Sequence, residues 1–316
     1  MKLTSVRRIN LISIVLLVHC QSLLCFQPLI VMPSVFNRIE GWVAGRKVNK
    51  DLNESGTKYT VGSDADYSYA ATQPIVDHTL WDGVMKRHVV PGKVEDITTN
   101  VVDYRAVAND EDVEKYRRVL STANIDDLES TPNELLALYI NAYNCLCIGH
   151  VTRYMKENGG ALPKSVTKTT PPSEKGKEIW DVKAGNVGGK VLTLNDIEHK
   201  ILRSKWEEPR VHASIVCASA SCPNLRADAF VPHRLNEQLD DQAKSWVGDI
   251  TKGVKIDDKG QATFSRIFLW FEGDFKASGG PMAWAKQYLE DDVAEKLSDG
   301  KEPKYFPYNW SLNNKQ

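Results

Sequence analysis

Histidine and cysteine gather between Arg210 and Pro223, where His212, Cys217 and Cys222 fall within a short stretch. These residue types suit thiol chemistry. A cysteine acts as a nucleophile through its thiolate, which needs a neighbouring histidine or positive charge. The run Arg210-Val211-His212-Ala213-Ser214-Ile215-Val216-Cys217 alternates with the period of a strand. Val211, Ala213, Ile215 and Cys217 would then face one way, and Arg210, His212, Ser214 and Val216 the other. The strand is expected to run into Ala218-Ser219-Ala220-Ser221-Cys222-Pro223, where every side chain ahead of Cys222 is small. Pro223 biases Cys222 towards an extended backbone. The expectation is a thiol at a strand end, open to a substrate or a metal.

Three chemistries fit these residues. The first is a cysteine-dependent hydrolase or acyltransferase. Cys222 is the nucleophile and His212 or His199 the base, with Asn141, Asn144 or Glu198 holding the imidazole. Arg210, Ser219 and Ser221 are assigned to substrate binding, and backbone N–H groups from Ser219 to Cys222 to an oxyanion. Both histidines precede the cysteine, the reverse of the papain-like order, so the layout would be permuted; His233 follows without a supporting context. The second is a metal site, in which His199, His212, Cys217 and Cys222 supply two imidazoles and two thiolates. Their spacing matches no finger pattern, and no metal or cofactor is assigned. The third is a non-enzymatic interaction or scaffold domain. Asn141, Asn144, Glu198, Arg210 and His212 then form a buried polar network, and Cys217 and Cys222 are core thiols or a disulfide. A hollow lined by both His212 and Cys222 favours chemistry; a filled core at that place favours the scaffold.

Two helices must position these groups. One begins at Thr131, a candidate N-cap, with Pro132 at the first helical position and Glu134 completing a capping box. It runs through Leu135–Asn144 to about Lys156 and stops at Asn158-Gly159-Gly160. Being apolar nearly all round, it should be central. Asn141 and Asn144 share a face and, once buried, each needs specific partners. The second is capped by Thr193 and Asp196 and buries Leu194, Ile197 and Ile201. Glu198 lies within that face, with His199 and Arg203 flanking it. It should pair with Arg203, Arg210 or another basic group, or carry a raised pKa. Further helices are predicted over 77–89, 110–122, 234–247 and 282–289, and a hairpin over Val254–Ile256 and Ala262–Phe264. Val191-Leu192 reads as a strand entered from the turn Gly185-Asn186-Val187-Gly188-Gly189, which lacks the lysine of a phosphate loop. An aromatic tail over 305–312 is expected to pack back. The sum is an α+β fold, a mainly helical single domain with a small β-sheet.

The chain has 316 residues and a formal charge of −1, with lysine and arginine dispersed. That balance argues against nucleic acid and against an acidic membrane surface. Lys2, Arg7 and Arg8 precede an apolar run to Phe26, the layout of a signal peptide over residues 1–26. Residues 27–74 read as a linker or, being basic and acid-poor at first, as the second part of an algal plastid presequence. The domain proper is expected over 75–316. The expected location is the secretory pathway or outside the cell, with no membrane attachment after cleavage; a plastid or a signal anchor are the alternatives. Cys20 and Cys25 would leave with the signal segment, while Cys145, Cys147, Cys217 and Cys222 remain. Two sequons, at Asn53 and Asn309, matter only on the secretory route.

Several stretches, in order and in register, resemble the family called domain of unknown function 547. They are Asp77-His78-Thr79-Leu80-Trp81-Asp82, Ile140-Asn141-Ala142-Tyr143-Asn144, and the run from Leu194 through Glu198-His199 to Arg203. Pro209-Arg210-Val211-His212-Ala213, Cys217-Ala218-Ser219-Ala220-Ser221-Cys222-Pro223 and Tyr308-Asn309-Trp310-Ser311-Leu312-Asn313 complete the set. The family's motif residues fall on Asn141, Asn144, Glu198, His199, Arg210, His212, Cys217 and Cys222. Ala213 stands where members often have a large residue, and Asn309 where they often have an acidic one. The resemblance names a family whose activity is open, so it implies no particular reaction.

Overall fold

The computed structural model describes residues 58–64, 74–297 and 301–316. The expected signal segment, most of the expected linker and the Asn53 sequon lie outside the described residues.

Helix α1 (Thr79–His88) buries Trp81, Val84 and Met85. It runs directly into strand β1 (Val89–Val94), which pairs antiparallel with β2 (Ile97–Val102). This hairpin was not expected, because Pro91-Gly92 reads as a breaker. Gly92 is there for a close approach: a Cβ would lie 2.8 Å from Cγ2 of Val101 across the ladder. Helix α2 (Glu111–Thr122) is capped by Asp110, which accepts the Asp112 N–H at 3.0 Å.

Helix α3 (Pro132–Glu157) is the centre of the protein, and Leu135 through Val151 are buried on every face. It is long and apolar enough to cross a membrane, yet it is wrapped by the rest of the chain. Its start departs from expectation. Thr131 makes no side-chain cap, and Glu134 accepts the Ile75 N–H at 2.7 Å, so no capping box forms. Its end is as expected: Gly159 and Gly160 take positive φ, and the Gly160 N–H returns to the Met155 carbonyl at 2.8 Å.

Strands β3 (Lys183–Val187) and β4 (Lys190–Thr193) form a hairpin about Gly188-Gly189. Thr193 and Asp196 then cap each other at 2.9 and 3.0 Å, as their spacing predicts. The helix that follows is not regular. Asp196–Leu202 is π-helical, and the Arg203 N–H reaches the Glu198 carbonyl five residues back. Such wide turns are rare and cluster at functional sites.

The strand expected over Arg210–Cys217 is absent. Val211–Ser214 is instead a helical turn, α4, and the chain becomes extended only from Ile215. Glu208 accepts both the backbone and the side chain of Arg210, and the N–H groups of Val211, His212 and Ala213 close turns onto residues 208–210. Alternation misleads here because residues 211–223 are buried on all sides, so no water-facing side exists to alternate with.

Helix α5 (Leu235–Val247) buries Leu235, Leu239, Ala243 and Trp246 as expected. Strands β5 (Val254–Ile256) and β6 (Ala262–Phe264) form the expected hairpin, and β7 (Lys304–Tyr305) joins β6 in parallel. Between them lie α6 (Arg266–Trp270), a 3₁₀ stretch Glu272–Ser278, and α7 (Pro281–Lys286), a shorter form of the predicted late helix. The fold is α+β and mainly helical, with three small sheets rather than one. Residues 58–64, within the expected linker, pack on the domain. Tyr59 donates to the Lys205 carbonyl at 2.6 Å, and Asp64 accepts the N–H groups of Asn236 and Glu237 at the start of α5.

Two large apolar clusters make most of the core, with a small third one of Val94, Val101 and Ala220. Of the two large ones, one surrounds α3; the other gathers Trp246, Phe264, Phe268, Phe275 and Trp284. The tail over 305–312 closes the seam between them, as an aromatic tail should.

Candidate functional site

A cavity of about 590 Å³ opens along that seam, within the range of small-molecule sites. Cys217, Cys222, His199, His212 and Glu198 all line it. Its walls are aromatic: Tyr143, Trp180, Trp270, Phe271, Tyr308 and Trp310. The hollow that discriminates chemistry from a filled scaffold is therefore present, with His212 and Cys222 both on its surface.

The thiols are free and adjacent. The sulfur of Cys222 accepts the Cys217 N–H at 3.2 Å and lies 3.3 Å from the Tyr308 hydroxyl. Ser219 Oγ donates to Tyr308 at 3.2 Å, leaving the Tyr308 proton free for the sulfur. Burial pushes the Cys222 thiol up, but bonds from Cys217, Tyr308 and Ser219 outweigh it and bring Cys222 down to about 6. Cys217 moves the opposite way: its bond to Cys222 and its burial hold its proton on. Burial and the nearby sulfur charges likewise keep Tyr308 a proton donor. Ala218, between the two thiols, has φ +64°, a strained value for a residue with a Cβ. The tail clamps this loop: Ala218 accepts from Asn313, Ala220 donates to Ser311 and Ser221 to Asn309.

A charged cluster adjoins the same cavity. His212 Nε2 is 2.8 Å from Asp274 Oδ2, and its ring packs on Phe271 with centroids 4.3 Å apart. Arg203 binds both oxygens of Asp274, at 2.5 and 2.8 Å, and contacts His199 Nδ1 at 3.1 Å. Burial alone would raise Asp274, but the bonds from His212 and Arg203 hold it well below the usual carboxylate range. It therefore stays ionised and orients the His212 ring through Nε2.

Other expected site residues do structural work. Asn141 brackets Phe230, donating to its carbonyl at 2.8 Å and accepting its N–H at 3.0 Å. Asn144 does the same for Ser214 and Val216, both at 2.9 Å, so it shapes the segment carrying His212 and Cys217 without touching a ring. Neither lines the cavity. Arg210, expected to bind substrate, points away to Glu208 and Asp240. Ser219 bonds Tyr308 and Ser221 Oγ accepts the Asn309 N–H at 2.9 Å, and neither lines the cavity. Of the expected backbone oxyanion donors, three are taken: the N–H groups of Ala220, Ser221 and Cys222 bond to Ser311, Asn309 and Ser219. Glu198 is not in the anticipated ion pair. Arg203 and Arg210 serve other carboxylates, and Glu198 accepts from the Tyr143 hydroxyl at 3.2 Å. Among the described residues no three histidine, cysteine or acidic side chains converge as metal ligands, so the metal reading finds no geometric footing.

The family described as "Protein of unknown function, DUF547" matches residues 128–247. This match supports assigning that stretch to the DUF547 family. The matched stretch carries α3, the π-helical segment, both cavity thiols and both cavity histidines. Asp274 and Tyr308, which contact His212 and Cys222, lie beyond it. Sequence reasoning gave neither a role: Asp274 sits in an irregular stretch, and Tyr308 stood out only in the aromatic tail and at the head of the last family-like stretch. No curated protein and no solved structure matches the chain.

Proposed function

We propose that the cavity is the active site of a cysteine-dependent hydrolase or acyltransferase. One observation carries this reading: a thiol biased towards its thiolate and an imidazole held by an ionised carboxylate line the same hollow. The Cys222 thiolate attacks an acyl carbon, a C–S bond forms, and the carbonyl electron pair moves to oxygen. The Tyr308 hydroxyl, already directed at the sulfur, is the donor best placed for that oxyanion. The intermediate collapses as the leaving group departs with a proton from His212 Nδ1. Water or an acceptor then attacks the thioester, gives its proton to His212, and releases the sulfur. Asp274 orients the ring and balances its charge throughout. Neither histidine bonds Cys222; such contacts commonly tighten only around a substrate.

The scaffold alternative accounts for Asn141, Asn144 and Arg210, which brace the fold, but it gives no role to an unfilled hollow lined by Cys222 and His212. The test is iodoacetamide labelling followed by peptide mapping, alongside burst kinetics on an activated ester. Cys222→Ala should abolish labelling and burst, and His212→Ala should slow turnover. Cys217→Ala should keep labelling at Cys222. Labelling that survives Cys222→Ala but disappears in Cys217→Ala overturns the assignment.

A further inference from the structure

We infer that the substrate carries a positively charged amine, held between the aromatic wall and Glu198. This inference rests on the active-site reading and names its substrate class. Three carboxylates, Glu178, Asp181 and Glu198, line the cavity, and no lysine or arginine does. Arg203 lays its guanidinium over Phe271 at 4.8 Å, but Asp274 matches that charge with two bonds. Among the described residues the acidic groups on the lining thus outnumber the lysines and arginines there.

Glu198 is the telling group. It is 9% exposed and lines the cavity, yet it has one hydrogen bond, from Tyr143 to Oε2. Among the described residues its second oxygen takes no hydrogen bond, and it is open to the cavity rather than sealed in the core, so a guest can reach it. An ammonium group supplies N–H donors and the opposite charge together. The wall beside it suits the same guest. Trp310 stacks on Trp270 with centroids 5.8 Å apart, lies 4.4 Å from Tyr308 and meets Trp180 edge-on at 5.6 Å. Clustered ring faces attract cations, tryptophan most strongly. Glu178 and Asp181 are exposed and mark the rim, where their charge draws a cation inward. An anionic substrate would meet like charge at both rim and floor.

Binding is read by quenching of tryptophan fluorescence in the intact protein, which needs no catalysis. Butylammonium, Nα-acetyl-lysine amide, 1-pentanol and butanoate are titrated in parallel. The first two separate a free amine from a lysine side chain as the source of the cation. At least one of them should bind roughly tenfold or more tighter than 1-pentanol, with butanoate weakest. Glu198→Gln, which keeps the acceptor for Tyr143, should reduce that preference several-fold with unchanged melting temperature. Equal binding of cation and alcohol, tighter binding of butanoate, or a preference undiminished in Glu198→Gln overturns the inference. The two readings fail separately. Cation binding without any ester turnover removes the hydrolase reading alone, whereas turnover indifferent to substrate charge removes the amine alone.

Discussion

Cys222 should ionise near pH 6 because Cys217, Tyr308 and Ser219 bond its sulfur, and the share of Tyr308 is directly measurable. A thiol with pKa about 6 is about 90% thiolate at pH 7, against about 3% for an ordinary cysteine near 8.5, a gain of roughly 30-fold. Intrinsic nucleophilicity falls with pKa, with a Brønsted slope of about 0.4–0.5, which takes back roughly 10–20-fold. The rate at a single pH is therefore a poor readout, and the midpoint of the pH–rate profile is the right one. Alkylation of Cys222 by iodoacetamide, followed by peptide mass between pH 4 and 10, should rise to a plateau with a midpoint near 6. Tyr308→Phe removes one hydrogen bond to a charged acceptor, worth about 1.5–3 kcal/mol, or roughly one to two pH units. Its midpoint should move to about 7–8. A wild-type midpoint near 8.5, or one that stays put in Tyr308→Phe, refutes the reasoning.

Other consequences are as concrete. Asn144→Ala orphans the Val216 N–H and the Ser214 carbonyl, and urea melts should show a loss of about 2–4 kcal/mol. Asp274→Asn leaves the Arg203 and His212 side chains, 2% and 3% exposed, without their anion. Stability should drop by about 3 kcal/mol, at the low end for a buried pair because Asp274 is itself partly exposed, and ester turnover should fall with it. His78 is pushed by burial from 6.5 down to about 4, so the unfolded chain takes up its proton first as the pH falls. Its cost therefore appears below pH 6.5 and grows to about 3 kcal/mol by pH 4, and His78→Gln should flatten the acid limb of the stability curve. Finally, the adjacent Cys217 and Cys222 thiols should join as a disulfide under dilute hydroperoxide, with loss of two hydrogens by intact mass. Iodoacetamide labelling should then vanish and return with dithiothreitol; persistence of labelling after oxidation contradicts the geometry.

Much of the scaffold was legible because local rules governed it. The centrality of α3 followed from apolar residues on every face, its end from Asn158-Gly159-Gly160, and the reciprocal cap of Thr193 and Asp196 from spacing alone. The need of Asn141 and Asn144 for specific partners was also readable, since a buried amide cannot stay unbonded. The same local rules failed where burial was complete. Arg210–Cys217 alternates like a strand but coils into α4, because a segment buried on all sides carries no amphipathic signal. The β1–β2 hairpin hid behind Pro91-Gly92, whose glycine answers a cross-strand contact invisible along the chain.

By itself, then, the sequence determined which residues could do chemistry and which helices would present them: Cys222, His212, His199 and Glu198 all reach the cavity. Only the tertiary structure decided what each of them does. The carboxylate that orients His212 comes from 62 residues further on, and the hydroxyl that faces Cys222 from 86 residues further on. Periodicity and capping act within a few turns of chain, whereas the electrostatics of a thiol depend on whichever groups folding brings within about 3 Å of the sulfur. Asp274 and Tyr308 arrive because the 3₁₀ stretch and the aromatic tail bury their rings against the second core cluster, and that packing is a property of the whole fold.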